Sequence, residues 1–362
     1  MKTAHRFRLL PAFLALPAAM LLAACAGPGY YAQAVGGHFE LMRGREDVEE
    51  LLDSGQASPE LQRDLEVALE IRRFASERLG LPDNDSYSRY VSTGRDAVTW
   101  NVVAAPELSL QPHRWCFLFA GCLPYRGYFR RADAERFANT LAADGLDVAL
   151  SPAVAYSTLG WFEDPLLDTM FRHGEARLAA LVFHELAHQQ LFVKGDAAFS
   201  ESYATFVEET GVDLWLRESG RAGLARWRRE REAAGQFDRL ILQTRQELAQ
   251  LYASSAPAAA QREGKQAAFE TLRRDYRSLV EGPWEGTDFF GGWFAQPLNN
   301  ARLALFDSYR GGLCAFAALY DEAGGDMAHF HALAEARAGL APEARHAWLR
   351  QDCRHVASRN DL

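Results

Sequence analysis

The stretch from Glu175 to Val193 constrains this chain more than any other. Ala179, Leu181, Val182, Phe183, Ala187 and Leu191 spread apolar side chains almost all the way round a helix, and a helix of that kind has to be buried. Yet the same helix carries His184, Glu185 and His188. Burying two imidazoles and a carboxylate is costly unless something satisfies them. Residues four apart share one helical face, so both imidazoles can reach a single cation. In a His-Glu-x-x-His run the Glu then lies beside the metal, where it serves as a base for an activated water. The alternative is a chance match on an ordinary core helix.

The next segment strengthens the metal reading. Phe199-Ser200-Glu201-Ser202-Tyr203-Ala204-Thr205-Phe206-Val207-Glu208 reads as a second helix, reached through the turn Val193-Lys194-Gly195-Asp196. Ser200 reads as its cap, which puts Glu201 in the first turn, aimed back at the first helix. His184, His188 and Glu201 then supply three protein ligands and leave a fourth position for water, as a catalytic zinc site requires. Other third ligands are available. Asp196 reads better as a turn or capping residue, and Glu208, like Glu209 two turns beyond Glu201, as an acid behind the ligands or at the surface.

The N-terminus reads as an address. Lys2, Arg6 and Arg8 precede an apolar run from Leu9 to Ala24, too short for a span of about 20 residues but right for a signal peptide. The run ends in Leu22-Ala23-Ala24-Cys25, which looks like a bacterial lipoprotein box, with a plain secretory signal as the alternative. Residues 1–24 are therefore expected to be removed and Cys25 lipidated, giving a membrane anchor. Ala26 in place of a retention Asp points to the outer membrane of a Gram-negative bacterium, facing the periplasm. Cys116, Cys122, Cys314 and Cys353 remain, an even number in an oxidising space. Of their three pairings, Cys116–Cys122 and Cys314–Cys353 are favoured. No CxxC pair is present, which argues against a Cys-ligated zinc. A net charge of −9 argues against nucleic acid as a partner.

The remaining chain reads as α+β and mostly helical, a single domain over 25–362. Ser58-Pro59-Glu60 opens a helix that stops at Gly80-Leu81-Pro82. Aromatic and β-branched stretches between 98 and 161 read as a small, mostly antiparallel sheet, interrupted by a helix at 132–143. Residues 217–281, rich in Arg, Glu, Gln and Ala, read as a long helical hairpin turning at Ser254–Ala260. Its mixed charges suggest a solvated structural annex.

At the two central helices the sequence resembles the gluzincin metallopeptidases, with Ser200 and Tyr203 standing where that group has Asn and Phe. The spacing from His188 to Glu201 is shorter than in the thermolysin-like branch. More broadly, the chain is similar to the bacterial "putative aminopeptidase" lipoproteins. It shares with them the lipoprotein box, Cys122-Leu123-Pro124-Tyr125-Arg126-Gly127-Tyr128-Phe129, the HExxH helix and Pro297-Leu298-Asn299-Asn300-Ala301-Arg302-Leu303. The resemblance implies a zincin-like fold, one Zn²⁺ per chain and peptide substrates, with Glu185 as the base. It also implies that Tyr156–Asp164 forms the strand along which a peptide binds. Glu163 or Asp164 would then hold the substrate's ammonium, although Asp164 before Pro165 reads equally well as a helix cap. Asn300 and Tyr309 would complete the site, Tyr309 as a donor to the oxyanion or simply as a buried Tyr. His329 and His331 have no ligand spacing and read as surface or structural residues. Two rival functions remain: a zinc endopeptidase of envelope proteins, and a non-catalytic scaffold with a structural zinc. Glu185 argues against the scaffold, which has no use for that acid.

Overall fold

The computed structural model describes residues 27–117, 121–155, 163–304, 306 and 312–350. Cys25, Cys353, Tyr309 and most of the Tyr156–Asp164 stretch lie outside them. The described chain is mostly helical with small sheets. The described residues fall into two compact units.

The first unit comprises the described parts of Met1–Arg43, Thr99–Pro152 and Asn300–Leu305. Its centre is the strand Thr99–Pro106, flanked by the antiparallel Arg126–Tyr128 and by Leu146–Ala153. Alternate residues of a strand point to opposite faces, and here both faces are covered. Val102 and Ala104 pack with Trp115, Tyr128 and Leu141, while Val103 and Ala105 pack with Ala301 and Ala304. Trp115–Phe117 and Gly121–Leu123 form a ribbon in which Cys116 lies opposite Cys122, and a disulfide joins the two.

The second unit comprises the described parts of Gly44–Val98, Ala153–Asn299 and Phe306–Leu362. Ser58 caps the helix Pro59–Glu77, its hydroxyl accepting the Leu61 N–H, and Leu65, Ala68 and Ile71 are buried. A small sheet pairs Arg89–Val91 antiparallel with Glu46–Asp47 and parallel with Leu166–Leu167. Asp164 therefore precedes a strand, not a helix. Gly174, at φ 82, turns the chain into the motif helix, Glu175–Gln190, in a conformation that favours glycine. This helix is not buried all round: Leu178, Val182, Phe183, Leu186 and His188 are buried, whereas Leu181, His184 and Glu185 form a half-buried stripe.

The second central helix, hereafter the ligand helix, spans Ala197–Glu218 and starts earlier than expected. Its cap is Asp196, which accepts the Phe199 N–H at 3.0 Å. Ser200 lies inside the helix, fully buried, accepting the Val193 N–H at 3.0 Å and donating to the Asp196 carbonyl at 3.0 Å. Glu201 consequently sits in the second turn. The hairpin has arms Leu224–Ala253 and Ala258–Glu281, and Arg217, where the compositional change begins, still belongs to the ligand helix. Phe316 and Phe330, on the helices Leu313–Glu322 and Met327–Ala338, pack their rings against Phe199, Tyr203 and Phe206 of the ligand helix. Cys314 is disulfide-bonded. No described helix is long and apolar enough to cross a membrane.

Candidate metal centre

The motif and ligand helices run antiparallel, pairing His188 with Glu201 and His184 with Glu208. Their close approach depends on Gly211, where an added Cβ would come within 2.7 Å of Leu79 Cδ1 and 2.9 Å of Phe183 Cδ2. The approach brings His184, His188 and Glu201 together, with one ligand atom from each inside a 4.8 Å cluster. Nε2 of His184 lies 3.5 Å from Oε2 of Glu201, and Nε2 of His188 lies 3.5 Å from Oε1. The two Nε2 atoms are 3.1 Å apart.

A third acid faces the other side of His184. Oε2 of Glu208 lies 3.1 Å from its Nδ1. An ionised carboxylate only accepts hydrogen bonds, so Nδ1 carries the proton and Nε2 is left free to coordinate, the arrangement that orients a ligating imidazole. Burial opposes charge on His184, but the hydrogen bonds it donates to Glu201 and Glu208 outweigh it and raise its pKa to about 10; a cation bound at Nε2 would replace the proton there. For Glu201, burial pushes upward and the two imidazoles pull harder, down to about 2. Glu208 is held ionised against its burial by His184, Arg231 and Arg177.

The hairpin is not the solvated annex that its composition suggests. Arg231, on its first arm, lies 3.7 Å from Oε1 of Glu208 and also pairs with Glu209. Arg228 makes a two-pronged contact with Asp213 at 2.7 and 3.1 Å, and Glu230 accepts from Arg177 of the motif helix at 3.0 Å. The mixed charges of this arm face complementary charges on both helices of the centre. Arg231 is a residue that sequence reasoning missed, because nothing distinguishes it from its neighbours in Arg228-Arg229-Glu230-Arg231-Glu232.

The residues present fit a divalent cation of the zinc type, with two imidazole nitrogens and a carboxylate as donors. Glu185, adjacent to His184, adds an independent sign: its Oε2 is buried without a hydrogen-bond partner among the described residues. The other expected residues fall elsewhere. Glu163 is exposed and lies 3.9 Å from both Arg45 and Arg89. Asp164 is 1% exposed, and its carbonyl accepts the Tyr87 N–H at 2.7 Å. Asn300 belongs to the first unit, where its buried amide donates to the carbonyls of Pro106 and Glu107 at 3.2 and 2.8 Å. Asp196 is a cap, neutralised by Arg345. His331 is buried among protein partners.

A family model described as "Putative aminopeptidase" matches residues 29–349. No curated protein and no solved structure matches the chain.

Proposed function

Because the chain belongs to the "Putative aminopeptidase" family, we propose that it is a zinc-dependent aminopeptidase, with His184, His188 and Glu201 as ligands and Glu185 as general base. One observation carries this reading. The ligand atoms of His184, His188 and Glu201 converge beside Glu185, whose buried Oε2 has no partner among the described residues. A structural site has no use for that additional carboxylate. Zinc, when bound, supplies a Lewis acid that polarises the scissile carbonyl and lowers the pKa of water.

The chain's own residues do the rest. Glu185 takes the proton of the attacking water and delivers it to the leaving amine nitrogen. Glu208 keeps the His184 ring in the ligating tautomer, and Arg231 steadies Glu208. An aminopeptidase also needs an acid for the substrate's ammonium. The two candidates are Glu163, which is exposed and faces Arg45 and Arg89, and Asp164, which is buried. Lipidation at Cys25, with the chain held at the outer membrane and facing the periplasm, belongs to the same proposal. Loss of fatty-acid labelling in Cys25→Ser tests it.

The test of the function is zinc analysis combined with peptide digestion. About one zinc per chain is expected, lost in His184→Ala and His188→Ala, with cleavage of peptides bearing a free N-terminus abolished by a chelator. A protein that takes up no stoichiometric zinc overturns the reading, as do His variants that retain it. N-acetylated peptides are expected to resist; their efficient internal cleavage would make the enzyme an endopeptidase.

A further inference from the structure

The helix Pro28–Arg43, in the first unit, is apolar on two opposite faces. Its inner face belongs to the fold. Tyr30 packs against Phe117 and Tyr128 at ring-centroid distances of 5.3 and 5.6 Å and lies 4.1 Å from the Arg126 guanidinium. Gln33 donates to the Gly127 carbonyl at 3.2 Å and accepts the Phe129 N–H at 3.1 Å. Gly37 lets the helix close on the Phe129 ring, which a Cβ at that position would overlap. Leu41 is buried one turn further on. Tyr30, Gln33, Gly37 and Leu41 fall at the spacing of one helical face, and that face is fully engaged.

The opposite face is Ala32, Val35, Gly36 and Phe39, again three and four residues apart, and all four are exposed. Val35 at 52% and Phe39 at 55% are the two most exposed large apolar side chains among the described residues. Half-buried Tyr31 and Met42 border the face, and exposed Arg43 closes it. No charged residue occurs between Cys25 and Glu40, in a chain of which 24% is charged. A helix that faces water carries charged and polar residues on its outer side. This one keeps an apolar stripe about 10 Å long there. Singly scattered apolar residues are ordinary on a surface, but a contiguous set marks a contact.

We propose that this outer face rests on the lipid leaflet that holds the Cys25 anchor, so that the helix lies along the membrane surface with Val35 and Phe39 among the upper acyl chains. The proposal rests on lipidation at Cys25. Three residues lead from Cys25 to Pro28, at most about 11 Å of chain. An acylated Cys25 therefore keeps the first turn of the helix within reach of the headgroup layer. Helices of this kind sink their apolar side about 5–10 Å into the boundary between headgroups and acyl chains. Tyr and Arg suit the polar edge of that boundary, and Tyr31 and Arg43 stand at the edges of the face. No comparable constraint brings a second copy of the chain to it. Two signals, a lipid and an apolar face, then fix the first unit against the bilayer, where the lipid alone would leave it free to swivel.

The experiment uses the full-length lipidated protein in vesicles of phosphatidylethanolamine and phosphatidylglycerol. A polarity-sensitive fluorophore is attached at Phe39→Cys or, as a reference, at Gln62→Cys, an exposed position of the helix Pro59–Glu77. Both side chains are exposed, so neither substitution removes core packing. The Phe39 label should emit to the blue of the Gln62 label. Lipids spin-labelled high on the acyl chain should quench it at least about threefold more strongly, as a face sunk to that depth requires. Adding Val35→Glu should bring this quenching down to the Gln62 level, because a charge is costly in the apolar layer. A Phe39 label quenched no more than the Gln62 label, in protein that carries fatty acid and floats with the vesicles, overturns the proposal and leaves the anchor standing. Quenching that survives Val35→Glu unchanged overturns it too. A label that moves to the blue but escapes the lipid quencher, with dimers trapped by cross-linking, also overturns it and assigns the face to a second copy. Protein that takes up no fatty acid and does not float sinks the lipidation reading, and this proposal with it.

Discussion

At the scale of single residues, the centre is defined as much by the groups behind the ligands as by the ligands. Glu208 is the clearest case, holding Nδ1 of His184 while facing Arg231. Glu208→Ala should weaken zinc binding about 10–100-fold, the usual cost of losing such a support, measurable by competition with a chromogenic chelator. Glu185→Gln should behave differently. The amide has nearly the same size and the lost oxygen has no partner among the described residues, so zinc content and stability are kept. The proton acceptor is gone, and kcat should fall by about 10²–10⁴, read from steady-state kinetics. Away from the centre, Arg345 and Asp196 are a buried pair at 2.6 Å. Arg345→Ala strands that carboxylate and should cost about 3 kcal/mol in urea unfolding, the low end for a broken buried pair, because His346 still faces Asp196 at 3.1 Å.

At the scale of elements, most helices were legible because their signals are local. Ser58-Pro59-Glu60 announces a cap, a first helical proline and an acid in the first turn, and the structure has all three. The ligand helix was harder. Asp196 and Ser200 are both good capping residues, and local preference cannot choose between them. Asp196 is the cap here, and its second oxygen neutralises Arg345 from 149 residues away, a contact that no window of sequence contains. The pairing of the two central helices has its own test. At Gly211 even a methyl group meets Leu79 and Phe183, so Gly211→Ala should lose about 1–3 kcal/mol through overpacking. A lowered urea midpoint would register this; an unchanged one would mean that the helices yield without cost.

At the scale of the folded unit, His331 ties distant parts of the chain together. Its Nε2 faces the Leu79 carbonyl at 2.7 Å, which can only accept, so Nε2 donates and Nδ1 accepts from the Tyr203 hydroxyl at 2.7 Å. That arrangement requires the neutral ring. Burial accordingly lowers the His331 pKa below 6.5, with the bond to Leu79 opposing. Once pH falls below about 6.5, the unfolded chain binds a proton that the native ring refuses, so stability declines with falling pH. The contribution is fully present above that pH, and the slope from one such group is at most about 1.4 kcal/mol per pH unit. Urea midpoints measured between pH 5 and 7 should show the decline, and His331→Phe should flatten it. His184, with its raised pKa, contributes the opposite slope near pH 7, so the comparison decides: a His331→Phe midpoint that falls toward pH 5 as steeply as that of wild type would contradict the assignment.

Composition and periodicity by themselves specified the α+β character, the HExxH helix and the hairpin, because caps, apolar spacing and motif letters act within a few residues. The same letters singled out His184, Glu185 and His188, since a largely apolar helix bearing those groups demands a partner, and the next helix supplied Glu201. Tertiary structure alone decided the rest. The chain forms two compact units, Arg231 of the hairpin backs the centre, and Glu163 faces arginines. Each of these depends on which charge or side chain meets which across long stretches of chain. Meetings of that kind follow from packing, and packing has no signature in any short run of residues.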